Sequence, residues 1–189
     1  MHKIAVIDIE TAGLDPIYDL ILEIGIVELD LLTGEKNILF DSCVREPDFG
    51  ESHNESWIFL NSDMSFEEIQ MSPLLENVRE RLQTIFNTFQ ITAFNKSFDL
   101  GFLKNRGFTF PRELPCIMRT ATNICKIPFP NGVHLYDYGN REYKWPKVQE
   151  AWNFFFPKID YAEQHRAADD AIHEAMIFYE MYKQRLFII

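Results

Sequence analysis

The 189-residue chain has no apolar run approaching the roughly 20 residues needed to cross a bilayer, so no membrane association is expected. Its start, Met1-His2-Lys3 ahead of Ile4-Ala5-Val6-Ile7, is too short an apolar stretch for a secretory signal, and Asp8 interrupts it. Cysteine is scarce and odd in number: Cys43, Cys116 and Cys125, without C-x-x-C spacing. A disulfide framework or a zinc ribbon is therefore not expected; a reducing compartment is, and with it a cytoplasmic location. Internal repeats, low-complexity tracts and linkers are also missing. Residues 1–189 are expected to form one domain, long enough to bury a core without a staple.

Positive charge is in short supply as well. The net charge is −11, which at first argues against a polyanionic partner. The deficit is uneven. Residues 1–94 carry 5 Lys/Arg against 18 Asp/Glu, while residues 95–189 carry 13 against 11. Within 96–147 nine basic residues face four acidic ones. That segment can supply phosphate contacts or simply form a solvated mixed-charge surface; both readings stay open.

What is present is hydrophobic patterning: 47% of residues are apolar, and Phe occurs 17 times. Residues 3–9, 20–29 and 36–44 read as strands of an antiparallel meander, with Thr33-Gly34 as a hairpin turn. Residues 46–64, polar with Pro, Gly, Asn and Ser, read as a loop. Ser65 and Glu68 suggest a capping box opening a short helix. Helical spacing of Leu74, Leu75, Val78, Leu82, Ile85, Phe86 and Phe89 predicts a helix over 73–89. A strand follows at 91–94, a helix at 97–106 closed by Gly107, a fifth strand at 115–118 and a helix at 119–126. Residues 127–144 read as an excursion loop, before helices near 145–155 and 166–186. The expected fold is α/β, a mixed sheet of about five strands flanked by helices.

Three short motifs carry chemistry. Asp8-Ile9-Glu10-Thr11 ends the first strand, and alternation sends Asp8 and Glu10 to one side. Two adjacent carboxylates repel unless a cation lies between them, and hard cations prefer oxygen. Such a pair alone also occurs at solvated strand ends. Asn95-Lys96-Ser97-Phe98-Asp99 follows a strand and enters a helix, placing Asp99 in the first turn. His165-Arg166-Ala167-Ala168-Asp169-Asp170-Ala171 opens the last helix, where small alanines permit close packing on the sheet. Asp169 and Asp170 lie about 100° apart on that helix, so they compete for one site. His173 reads as a surface residue and Trp145 as core.

In order and spacing the motifs resemble the DEDD superfamily of 3′-to-5′ exonucleases, in the subgroup whose last motif contains histidine. The matching residues are Asp8 to Thr11, then Ile21-Leu22-Glu23-Ile24-Gly25, then Asn95, Phe98 and Asp99, then His165, Ala167 and Asp170. Ala12-Gly13-Leu14-Asp15 is similar to the family's Thr-Gly-Leu-Asp, with one Thr replaced. The resemblance selects Asp170 over Asp169 and covers nearly the whole chain. It departs in 41–64 and 127–144.

The resemblance implies a ribonuclease H-like sheet and hydrolysis of single-stranded nucleic acid from the 3′ end, with DNA placed ahead of RNA. Asp8, Glu10, Asp99 and Asp170 would hold two Mg²⁺ or Mn²⁺ ions, and His165 would take a proton from the attacking water. Thr11, Gly13, Leu14, Asn95 and Phe98 would bind the terminal nucleotide. Two other functions remain in play: trimming of short RNA in the manner of an oligoribonuclease, and a non-catalytic nucleic-acid-binding module on the same fold. The apolar end, Leu186-Phe187-Ile188-Ile189, suits either docking on the core or a homodimer contact.

Overall fold

The structure, a computed structural model, describes residues 2–130 and 141–187. Strands β1 (Lys3–Thr11), β2 (Ile21–Asp30) and β3 (Lys36–Cys43) form the antiparallel meander, and β4 (Gln90–Thr92) adds parallel to β1. The sheet order is β3-β2-β1-β4. The β2–β3 turn depends on Gly34, which sits at φ +77 and donates its N–H to the Asp30 carbonyl at 2.7 Å.

Seven α-helices surround the sheet among the described residues. They are α1 (Trp57–Asn61), α2 (Phe66–Met71), α3 (Leu75–Thr88), α4 (Lys96–Asn105), α5 (Ile117–Cys125), α6 (Val148–Phe155) and α7 (Ala167–Lys183). Local chemistry sets several ends. Ser65 Oγ accepts the Glu68 N–H at the start of α2, and Gly107 at φ +81 closes α4. The reciprocal half of the expected capping box does not form, because the Glu68 carboxylate turns instead to Arg166.

Strand alternation divides the core. On one face Ile4, Val6, Val27 and Leu29 pack with α5, α6 and α7. On the other Ala5, Ile7, Ile9, Ile24 and Ile26 pack with α3 and α4. Asp8 and Glu10 continue the Ile4–Val6 row, so both point to the face that α7 covers. Gly25, opposite Asp8, lets α7 approach: a Cβ there would lie 2.2 Å from the Ala167 carbonyl carbon. The small residues of α7 make this close approach possible from the other side.

Four strands form where about five were expected. The chain at 112–114 runs beside β4, with Ile91 N–H donating to Arg112 O and Leu114 N–H to Ile91 O, and only Glu113 forms a bridge. Pro115 has no N–H to continue the ladder, and α5 begins at Ile117. The segment read as a loop over 46–64 contains a short 3-10 helix at Glu51–His53 and then α1. His173 is not a surface residue: its ring stacks on Tyr161 at 4.1 Å and meets Trp152 edge-on. Trp145 is not core; it is 43% exposed. In the excursion loop, Lys144 N–H donates to Ile127 O and closes the base; its residues 131–140 lie outside the described residues. At the apolar end, Phe187 docks on Phe178 at 4.3 Å, while Ile188 and Ile189 lie outside the described residues. No helix among the described residues is long and apolar enough to cross a membrane.

Candidate active site

The acidic residues converge at the end of β1. Asp8 and Glu10 come from the strand, Asp99 from the first turn of α4, and Asp170 from the first turn of α7. Ligand atoms of Glu10, His165 and Asp170 all lie within 4.8 Å of one another. The two neighbours differ in burial: Asp170 is 2% exposed, whereas the Asp169 side chain is 43% exposed and pairs with His173. The register against β2 shifts between Glu10, opposite Glu23, and Thr11, opposite Ile21.

A fifth carboxylate joins them. Glu174, one turn beyond Asp170 on α7, is 3% exposed and accepts the Phe94 N–H at 3.1 Å. Its i+4 spacing from Asp170 was the signal available in the sequence. Burial pushes the Asp8 and Glu174 carboxyls well above the usual range, with crowding by the other acids adding to the effect. Burial likewise raises Glu10 to about 9 and Asp99 to about 8. For Asp99 the backbone N–H groups of Asp99 itself and Ile9 pull in the opposite direction. Asp170 is raised by burial too, against the opposing hydrogen bond from Tyr161. The strongest charged neighbours of Asp8 and Glu10 are all carboxylates. A buried cluster of oxygen donors with this surplus of negative charge fits hard divalent cations.

The histidine loop is held from three sides. His165 takes a left-handed backbone, φ +55, which histidine tolerates better than most residues. Next to it, the Arg166 guanidinium grips Glu23 of β2 through Nη2 at 2.7 Å and Nε at 3.0 Å, and reaches Asp63 at 3.0 Å and Glu68 at 3.2 Å. These bonds raise the Arg166 pKa, the Glu23 contact most of all. Glu23 also accepts the Ala167 N–H at 2.8 Å, capping α7. Asp170 takes the Tyr161 hydroxyl at 2.7 Å and the Arg166 N–H at 3.2 Å. Finally, the Trp57 ring meets the His165 ring edge-on at 4.9 Å.

Beside the acids opens an apolar cleft of about 480 Å³, lined by Glu10, Thr11, Gly13, Leu14, Trp57 and Phe98 among others. Leu14 is 82% exposed and so stands free at its mouth. Thr11 Oγ donates to Gly13 O at 2.6 Å and stiffens the turn. Arg106, at the end of α4, anchors the same loop through Pro16 O and Asp19 O, both at 2.5 Å. Of the expected nucleotide-binding residues, Asn95 does not line this cleft; it is exposed at the N-cap of α4. Trp57 was missed by sequence reasoning because its helix lies inside a polar, turn-rich segment. Tyr161 and Glu174 were missed because neither belongs to a short motif.

A mixed sheet flanked by helices, with carboxylates gathered at the end of its first strand, marks a class: nucleases of ribonuclease H-like fold. The sequence model of the exonuclease family (RNase_T) matches residues 5–178, and the chain belongs to that family. It is 28% identical over 184 residues to a PolC-type DNA polymerase III from Caldanaerobacter subterraneus subsp. tengcongensis. That match covers 96% of this chain but only 12% of the polymerase. The fold is similar to the nuclease domain of 3′hExo, a DEDDh family member bound to rAMP, with TM-score 0.65 and 15% identity over 97% of this chain and 92% of that one. It is also similar to Exonuclease I from E. coli in complex with a dT13 oligonucleotide, with TM-score 0.66 and 13% identity over 98% of this chain and 42% of that one. A third similar structure is Pop2p from S. pombe in its Mg²⁺- and Mn²⁺-bound form, with TM-score 0.64 and 14% identity over 96% of this chain and 83% of that one.

Proposed function

We propose that this domain removes nucleoside 5′-monophosphates from the 3′ end of single-stranded nucleic acid. The observation that carries the reading is the convergence of Asp8, Glu10, Asp99 and Asp170 from three elements, with His165 at their edge. In this reading the four carboxylates hold two Mg²⁺ or Mn²⁺ ions. When bound, such ions neutralise the phosphodiester and stabilise the charge that develops on the attacking and departing oxygens.

The chain's own residues perform the rest. The cleft walls, Leu14 and Phe98 with Trp57 opposite, take the terminal base and sugar by apolar contact. The stiff Thr11–Gly13 turn presents backbone to the same nucleotide. His165, at the edge of the carboxylates, accepts the proton of the attacking water. The Arg166–Glu23 pair keeps its loop in place. Glu174 sits behind the ligands and adds negative charge to the cluster. DNA is the first substrate to test, since the polymerase relative is closer in sequence than the structural neighbours.

The test is a panel of 5′-labelled DNA and RNA oligonucleotides, short and long, with Mg²⁺, Mn²⁺ or EDTA. A ladder shortening from the 3′ end, abolished by EDTA and by Asp8→Asn, is expected. Cleavage that ignores EDTA, or none with either cation, contradicts the reading.

A further inference from the structure

A second concavity lies outside the acidic cleft and has the opposite character. It measures about 400 Å³ and is lined by Arg119, Thr122, Asn123, Arg141, Tyr143 and Trp145, with Glu142 at its side. The half-exposed Trp145 ring gathers two guanidinium groups: Arg141 lies 3.8 Å from its centroid and Arg119 5.6 Å. Several basic residues nearby are held in ion pairs. Lys96 and Lys104 pair with Glu113, Arg106 with Glu46, and Lys144 with Glu150. Arg119 forms no ion pair among the described residues and is exposed; its Nη2 donates to Ser97 Oγ at 3.2 Å.

That bond joins the two concavities. Ser97 lies on α4 one residue before Phe98, which lines the cleft, and two before Asp99. A strand whose 3′ end sits in the cleft and whose body crosses the exposed start of α4 would pass Arg119, which is bonded to that start, at the edge of the second concavity. Elsewhere the protein is acidic, −11 overall, and repels a polyanion. A chain of phosphates therefore needs a local cationic foothold, and arginine planes beside an indole offer both charge and a stacking surface.

We propose that Arg119, Arg141 and Trp145 form a subsite for the phosphodiester backbone and bases of the strand upstream of the scissile end. The subsite rests on the exonuclease reading for its direction, and its occupant is a single-stranded polynucleotide, DNA or RNA.

The experiment compares the wild type with the double variant Arg119→Gln/Arg141→Gln on substrates of different reach. The small one is the p-nitrophenyl ester of thymidine 5′-monophosphate; the long ones are 5′-labelled dT12 and U12. Turnover of the ester stays within about twofold of the wild type, because it ends before the subsite. On the 12-mers KM rises about tenfold with kcat unchanged, and the salt slope of log(kcat/KM) shrinks by about 1.4, from about 0.7 per phosphate contact on a single strand. Arg119→Lys, which keeps the charge, recovers part of the loss. Equal losses on ester and 12-mers, or no change on the 12-mers, overturn the subsite. Fluorescence anisotropy of labelled dT12 and U12 with the protein in EDTA separates this from the catalytic reading. About tenfold weaker binding by the double variant supports the subsite even if no substrate is cleaved, and equal binding refutes it. A subsite that discriminates at the 2′-OH shows the effect on one 12-mer only.

Discussion

Replacing Arg166 by Met tests how the histidine loop is held. Glu23 is 1% exposed at its side chain and takes three contacts from the Arg166 guanidinium, between 2.7 and 3.3 Å. Once Arg166 is gone, Glu23 keeps the Ala167 N–H at 2.8 Å and a weak thiol contact from Cys43 at 3.8 Å. Removing one partner of a buried pair costs about 3–5 kcal/mol, because a carboxylate is left in the interior. The contacts to Asp63 and Glu68 add little, since those side chains are 79% and 39% exposed. In a domain of this size each kcal/mol moves Tm by about 2–4 °C, so the melting temperature should fall by about 6–20 °C. Differential scanning calorimetry at pH 7 in EDTA measures it. Adding Glu23→Gln to the variant should restore more than half of the loss, since the amide oxygen still accepts the Ala167 N–H without a buried charge. A fall under about 2 °C for Arg166→Met would place the pair among ordinary surface ion pairs and rule out a buried, loop-holding role for it.

Gly25→Ala should destabilise by more than about 3 kcal/mol or prevent soluble folding, because its Cβ would lie 2.2–2.3 Å from the backbone of Ala167 and Ala168; denaturant unfolding measures this. Gly101→Ala is the control, with open space at its Cβ within α4, and should stabilise by about 0.5–1 kcal/mol. Glu10 at about 9 and Asp99 at about 8 make metal-free stability pH-dependent. Their raised folded-state values mean that the native state holds more protons than the unfolded state from about pH 4 upward, so stability falls as pH rises through 8–9. Tm in EDTA should be lower at pH 8.5 than at pH 5.5, and saturating Mg²⁺ should remove the difference; a Tm in EDTA that rises with pH contradicts the burial argument. Trp57→Ala should lower kcat/KM on an oligonucleotide by about 5- to 150-fold, from about 1–3 kcal/mol per stacked base, while Tm barely moves because the side chain is largely exposed. A loss of stability without loss of kcat/KM would make Trp57 a packing residue.

Much of the fold was legible because it rests on local rules. The alternation Ile4, Val6, Asp8, Glu10 places two carboxylates in line with a core row, and the structure keeps that row. The alanines of α7 signalled close packing, and Gly25 supplies the matching gap. The fifth strand was misread because apolar composition at 115–118 outweighed the missing N–H of Pro115. Trp145 and His173 went the wrong way for a related reason: which face a residue shows depends on tertiary neighbours, here Arg141 for one and Tyr161 for the other. Within the candidate site, residues in short motifs were visible, while those brought in by the fold were not. Trp57 arrives from a polar segment that local pattern reads as a loop, and Glu174 reaches the cluster only because α7 lies against the sheet.

The division of labour between acids and histidine is tested most directly by calorimetric titration with Mn²⁺, paired with single-turnover rates on a 5′-labelled oligonucleotide. Ligand atoms of His165, Glu10 and Asp170 lie within 4.8 Å of one another, a spacing that also suits a histidine metal ligand. Two Mn²⁺ ions are expected for the wild type, weakened or lost binding for Asp8→Asn, and two ions still bound by His165→Ala with a rate lowered by about 10²–10⁴-fold. Loss of an ion from His165→Ala would make the histidine a metal ligand instead of the base.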